Sequence, residues 1–168
     1  TAQYWGKGDR RTIEKVMGIA LRISITTGIV FTLAVELFPA QLMSLFTNEQ
    51  PVIEEGVKYL QVVGVSYLFM SITMIYLNIM RSVERVIIST VVYSVSLVTN
   101  GVLNAVFIFG LLGFPAMTIR GAALGTVVAR GVELVIVLIY AYRPNQPVKL
   151  RISDIFAKDR LLLRDFLK

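Results

Sequence analysis

Four stretches of the chain are apolar and long enough to cross a bilayer as helices. They run approximately over residues 16–37, 57–80, 86–112 and 121–142. A helix needs about 20 mostly apolar residues to cross a hydrocarbon core about 30 Å thick, and each stretch has that length. The pattern predicts an all-α fold, a polytopic transmembrane helix bundle with four spans.

Proline and glycine residues mark the ends of these spans. Pro39 and Pro144 follow the first and last spans, and proline is common just beyond a helix end. Gly110, Gly113 and Pro115 interrupt the apolar pattern after the third span, which predicts a tight turn between the third and fourth spans.

The final stretch, residues 143–168, is too polar to span a membrane. It contains the sequence "KLRISDIFAKDRLLLRDFLK", in which apolar side chains are interleaved with Lys and Arg. This pattern is typical of a basic amphipathic helix that lies on the inner leaflet. A linker helix packed on its own protein is the other interpretation, and the two are compatible.

The composition supports a membrane protein and removes several kinds of chemistry. Of the 168 residues, 55% are hydrophobic, and mean hydropathy is +0.70. The chain contains neither Cys nor His, which excludes disulfides, thiolate nucleophiles, Cys/His zinc sites and histidine acid–base catalysis within it. "GKGDRR" lacks the spacing of a phosphate-binding loop. We therefore expect no enzyme activity, no cofactor and no metal site built from Cys or His.

The distribution of charge predicts an orientation. Net charge is +6, and the basic residues cluster before the first span, between the second and third spans, and after the fourth. The loop after the first span is acidic. Because cytoplasmic loops carry an excess of Lys and Arg, we expect both ends of the chain to be cytoplasmic, in a multi-pass protein of the cell (inner) membrane. This pattern favours the lipid bilayer as a partner over nucleic acid.

Two asparagines and one charged pair lie inside the apolar spans. Asn100 and Asn104 are one helical turn apart and share a face. They are either interhelical hydrogen-bonding groups or amide oxygens that face a cavity and bind a cation or a polar substrate. Arg130 and Glu133, three residues apart, can pair on one face; that pair serves either structure or transport.

Three stretches of the chain resemble the multidrug and toxic compound extrusion (MATE) family. "AQYWGKGDRRTIEKV" is similar to the Gln-x-x-Gly-x-x-Asp stretch after the second helix of a lobe. "TNGVLNAVFIFGLLGFP" and "RGAALGTVVARGVE" are similar to the fifth and sixth helices, and the tail to the linker between lobes. The resemblance implies helices three to six of the N-terminal six-helix lobe plus the amphipathic linker. Since the chain begins at Thr1, we expect it to be a fragment of a longer protein.

The resemblance also implies a function and a site. Family members export amphipathic cations in exchange for Na⁺ or H⁺ by alternating access. Their N-lobe cation site maps onto Asn100, Asn104 and Thr126, joined by an Asp on the first helix, which lies outside this chain. Asn104 departs from the family pattern because it occupies the position of a carboxylate, and an amide cannot carry a proton. The remaining helices and the second lobe would be partners of this chain.

Two other functions are compatible with the sequence. A lipid-linked oligosaccharide flippase of the same superfamily would need basic groups in its cavity, for which Arg130 is the candidate. A non-transporting membrane scaffold subunit would instead have Asn100 and Asn104 buried between helices without access to water.

Overall fold

The computed structural model describes residues 1–113, 115–144, 146–150 and 152–155. The residues so described form eight α-helices and one 3₁₀ turn, Leu111–Gly113. In chain order the helices are α1 (Ala2–Gly6), α2 (Arg10–Leu37), α3 (Pro39–Ser44), α4 (Gln50–Val63), α5 (Ser66–Ser82), α6 (Val86–Phe109), α7 (Thr118–Ala141) and α8 (Ile152–Ile155).

The predicted all-α membrane fold is confirmed. Helices α2, α6 and α7 are each long and apolar enough to cross a membrane, and α4 and α5 together give a fourth, bent candidate. Helix α7 packs against α4, α5 and α6, while α2 packs mainly against α5. This arrangement places α7 at the centre of the described bundle.

The helix that contains the first span, α2, begins at Arg10, before the apolar stretch predicted from residue 16. Asp9 caps α2: its carboxylate accepts hydrogen bonds from the backbone N–H of Thr12 at 3.1 Å and from the Thr12 hydroxyl at 2.6 Å. A capping carboxylate at this position satisfies backbone donors that have no partner within the helix. Six mostly polar residues, 10–15, therefore precede the apolar stretch within the same helix.

The prediction of one continuous helix over 57–80 for the second span is wrong. The span is broken between Val63 and Ser66, where α4 and α5 meet at an angle of 54°. Two hydroxyls satisfy backbone carbonyls at the break: Ser66 donates to the carbonyl of Val63 at 2.6 Å, and Thr32 of α2 donates to that of Gly64 at 3.0 Å. Side chains thus replace helical hydrogen bonds, which makes a break tolerable inside a bilayer.

The third span ends at Phe109, three residues before the predicted end. Gly110 caps α6 with a left-handed conformation (φ 67°), which a side chain would make costly. Leu112 and Gly113 also have positive φ, so the chain turns sharply before α7. The Gly- and Pro-rich sequence predicted this turn.

The segment after α7 packs on the protein as far as it is described. Val148 is fully buried and belongs to the apolar core with Met80, Val83 and Ala141. Residues 156–168, most of the predicted amphipathic helix, lie outside the described residues. The described portion therefore matches the interpretation of a linker packed on its own protein.

Ionic contacts fasten this linker to the start of α2. The Arg11 guanidinium donates to both oxygens of Asp154, at 2.6 and 2.8 Å, and to Glu14 at 3.1 Å. The other oxygen of Glu14 accepts the backbone N–H of Lys149 at 3.1 Å. The hydrogen bond to Asp154, followed by that to Glu14, raises the pKa of Arg11 above its ordinary value. We call Arg11, Glu14 and Asp154 the linker clasp.

A candidate cation site between α6 and α7

Asn100, Asn104 and Thr126 meet where α6 and α7 pack together. Asn104 Nδ2 donates to Asn100 Oδ1 at 3.1 Å, and Asn100 Nδ2 donates to Thr126 Oγ1 at 3.3 Å. The Thr126 hydroxyl in turn donates to the carbonyl of Ala122 at 3.0 Å. The three side chains form one chain of hydrogen bonds directed from Asn104 towards the α7 backbone.

Two glycines allow the helices to come this close. A Cβ atom at Gly125 would lie 2.5 Å from Asn104 Oδ1, and one at Gly121 would lie 2.8 Å from the backbone of Phe107. Small residues four apart permit such contact between membrane helices. Gly121 and Gly125, one turn apart on α7, therefore set the distance between Asn104 and Thr126.

The side-chain oxygens of the two asparagines and of Thr126 can each accept a further hydrogen bond or bind a cation. Asn104 Oδ1 is buried and has no hydrogen-bond partner among the described residues. Asn100 Oδ1 and Thr126 Oγ1 each accept one hydrogen bond, so each retains a lone pair. Amide and hydroxyl oxygens are the neutral ligands that hard cations accept. The arrangement can contribute up to three neutral oxygens, without a formal negative charge.

A cleft of about 370 Å³ opens on one side of this network. Asn100 and Thr126 line it, together with Ser96 and Tyr93 of α6. Asn104 does not line this cleft, and its orphan oxygen lies against Gly125. The two asparagines thus differ: one faces the cleft, and the other supports it from behind.

Arg130 lines the same cleft, one turn beyond Thr126, and is bound to Glu133. The Arg130 Nη1 atom lies 2.6 Å from Glu133 Oε2, and the Glu133 side chain is fully buried. The second oxygen of Glu133 has no partner within the described part of the chain. The pair brings one positive and one negative charge beside the site, so Glu133 offsets the repulsion that Arg130 would exert on a bound cation.

A second, wider cleft lies between α2 and α5 and was not singled out by sequence reasoning. It measures about 780 Å³, and its lining is mostly apolar, with several polar groups but no formally charged side chain. Phe31, Phe46 and Tyr67 supply aromatic surface, and Met70 and Met74 line the α5 side. The i, i+4 spacing of the methionines was the available signal, but that spacing is equally typical of core packing.

Comparison with protein families places these features in context. The MatE family model matches residues 1–106. The chain is 29% identical over 126 residues to the "Probable multidrug resistance protein NorM" of Thermotoga maritima, a match covering 74% of this chain and 27% of that protein. It is 23% identical over 147 residues to the "Probable multidrug resistance protein YoeA" of Bacillus subtilis, covering 88% and 32%.

Solved transporter structures share the fold. A transporter of the MOP superfamily from Pyrococcus furiosus, described as having a binding pocket of reverse polarity, superimposes with a TM-score of 0.85 at 19% identity. The alignment covers 99% of this chain and 36% of that one. An outward-facing multidrug resistance MATE transporter gives 0.79 at 18% identity, covering 99% and 39%. The chain spans about a third of the length of its relatives.

Proposed function

The chain belongs to the MatE family, and from this premise we propose that it is part of a secondary active antiporter. The transporter would export organic cations in exchange for Na⁺ or H⁺ by alternating access. The observation that carries the proposal is the hydrogen-bonded row of Asn104, Asn100 and Thr126. Asn100 and Thr126 line an open cleft, and the oxygen of Asn104 is buried behind them without a partner among the described residues. Other helices of the same transporter would supply the remaining ligands.

We assign coupling to the occupancy of this row. A bound cation would draw Asn100 Oδ1 and Thr126 Oγ1 together across the α6–α7 contact, and its loss would release them. An ion couples to transport only if it binds one conformation more tightly than the other. Asn104 cannot carry a proton. Proton coupling would consequently need a carboxylate, either Glu133 in this chain or one on another helix.

We place the chain in the N-terminal lobe, as helices three to six and the start of the linker, with both ends cytoplasmic in the cell membrane. The basic residues lie before the first span, between the second and third spans, and after the fourth, which supports this orientation. The wide cleft between α2 and α5 supports an amphipathic cationic substrate, since aromatic faces attract cations and methionines adapt to varied apolar shapes.

The two alternatives receive less support. In a flippase for a pyrophosphate-linked substrate, Arg130 would need its charge free, yet Glu133 holds it at 2.6 Å. A scaffold subunit would bury both asparagines, yet Asn100 lines an open cleft. The antiporter is therefore the function that the geometry favours.

The test is ion-coupled drug efflux by the intact transporter in proteoliposomes. Asn100→Ala and Thr126→Ala are each expected to reduce the apparent affinity for the coupling ion at least fivefold, while the protein still folds. Imposing a Na⁺ gradient or a pH gradient separately identifies the ion.

Ser94→Ala is the matched control, because Ser94 lies on the exposed part of the same helix, outside the cleft. It should leave efflux and ion dependence unchanged. Normal ion dependence in both site variants would refute the proposed site. If the wild-type protein exports no drug under either gradient, the antiporter is refuted.

A further inference from the structure

A groove distinct from both clefts runs between the start of α6 and the end of α7. Its volume is about 480 Å³. Ile87, Val91, Ile136 and Ile139 form its walls. Ile87 is 80% exposed and Ile139 60% exposed. The described residues thus leave an apolar groove exposed along α6 and α7.

The charged groups of this groove are confined to one end. Arg85 precedes the first residue of α6, and Arg143 lies two residues beyond the end of α7. Both side chains are exposed. Within the described residues neither guanidinium has an ion-pair partner. By contrast, Arg11 at the same end of the bundle is bound in the linker clasp.

One acidic residue lies at the same mouth. Glu84 lines the groove and is exposed, but it makes no ion pair with either arginine. Two guanidiniums against one carboxylate leave the mouth with a net positive charge. An arginine guanidinium matches the geometry of a phosphate and binds it with two hydrogen bonds.

We propose that this groove binds an anionic phospholipid, with its phosphate between Arg85 and Arg143 and an acyl chain along α6 and α7. The distribution of polarity identifies the ligand class. A soluble phosphate would use the arginines but not the apolar walls, and a neutral lipid would use the walls but not the arginines. Basic pockets between membrane helices bind anionic headgroups in this way.

The position of the mouth agrees with a lipid headgroup. Arg85 and Arg143 lie just outside two membrane-crossing candidates, where a helix leaves the hydrocarbon core. The Glu84 carboxylate favours a headgroup with hydroxyl donors over one with a bare phosphate. Phosphatidylglycerol is therefore the probe of choice. This inference is independent of the cation site and of antiport.

The experiment measures lipid retained by the purified intact transporter, by native mass spectrometry after exchange into phosphatidylglycerol or phosphatidylcholine. Wild-type protein should retain phosphatidylglycerol at least fivefold more than phosphatidylcholine. The double variant Arg85→Gln/Arg143→Gln should lose that preference, since both side chains are exposed and the fold does not depend on them.

A second pair of variants tests the apolar part without changing charge. Ile139→Trp fills the groove and should reduce retained phosphatidylglycerol at least fivefold. Val135→Trp, on an exposed part of α7 that does not line the groove, should leave it unchanged. Arg120→Gln, at the other end of α7, controls for general attraction to an anionic bilayer.

Three results would overturn the proposal. If Arg120→Gln reduces retained phosphatidylglycerol as much as the groove variants do, the attraction is non-specific electrostatics. If Ile139→Trp retains as much phosphatidylglycerol as wild type, no acyl chain occupies the groove. If a lipid-soluble thiol reagent fails to label the Ile139→Cys variant of the intact transporter, protein covers the groove. Labelling there, with losses confined to the groove variants, supports the lipid site.

Discussion

Replacing Gly125 with alanine should disturb the candidate cation site while leaving the fold intact. The added methyl carbon would lie 2.5 Å from Asn104 Oδ1, whereas nonbonded contact needs roughly 3.4 Å. The amide must therefore move by about 0.9 Å. A shift of that size is enough to lengthen the 3.1 Å bond from Asn104 to Asn100 beyond the hydrogen-bonding limit of about 3.5 Å.

The expected change in stability is small because opposing effects nearly cancel. Alanine is favoured over glycine inside a helix by about 1 kcal/mol. Losing one side-chain hydrogen bond costs about 0.5–1.5 kcal/mol. The free energy of unfolding in mixed micelles should therefore stay within about 1 kcal/mol of the wild-type value. The apparent affinity for the coupling ion should fall about fivefold, equivalent to roughly 1 kcal/mol.

Gly131→Ala is the matched control, on the same helix. A Cβ atom there meets no other heavy atom within 4 Å, so the variant should be as stable as wild type or slightly more stable, with unchanged ion dependence. If Gly125→Ala keeps wild-type ion affinity, Asn104 does not support the site. If it loses more than about 3 kcal/mol of stability, the contact is a rigid packing constraint.

Three further single substitutions and one double variant test other contacts. Gly121→Ala places a methyl 2.8 Å from the backbone of Phe107, which cannot rotate away, so unfolding in micelles should show a loss of about 1–3 kcal/mol; wild-type stability would contradict the close contact. Arg130→Ala leaves the fully buried Glu133 unpaired and should cost about 3–5 kcal/mol, most of it recovered in the double variant Arg130→Ala/Glu133→Ala; no recovery would show that the pair does not account for the loss. The pKa of Asp9 lies below its ordinary value of 3.8 because Thr12 donates hydrogen bonds to it, so its cap stabilises α2 above that value and is lost as pH falls through the lower folded-state pKa. The difference in thermal midpoint between wild type and Asp9→Ala should vanish over that acidic range, and a difference that persists at lower pH would refute a charge-dependent cap.

The apolar pattern predicted the membrane helices but missed the break in the second one. Its length and composition are those of one continuous span, and the residues at the break, Gly64 and Val65, do not exclude a helix. At the break, the Gly64 carbonyl accepts a hydrogen bond from Thr32, which lies on another helix. A periodicity read along one segment contains no information about a hydroxyl supplied from 32 residues away.

The candidate site was predictable in part. Helical spacing placed Asn100 and Asn104 on one face, and the family resemblance added Thr126, which the structure brings to 3.3 Å from Asn100. Sequence reasoning did not show that the oxygen of Asn104 lacks a partner, because that depends on how closely Gly125 approaches. The linker clasp was also unforeseen, since Arg11 and Asp154 are 143 residues apart.

The bend between α4 and α5 has a consequence for hydrophobic mismatch. The two helices contain 14 and 17 residues, or about 21 and 26 Å, and in a straight line they would exceed a core of about 30 Å by roughly 17 Å. With the 54° bend, α4 rises only about 12 Å along the axis of α5, so the total rise is about 38 Å. A change in that single angle would fit this span to thinner or thicker bilayers, an adjustment that a straight helix achieves only by tilting as a whole.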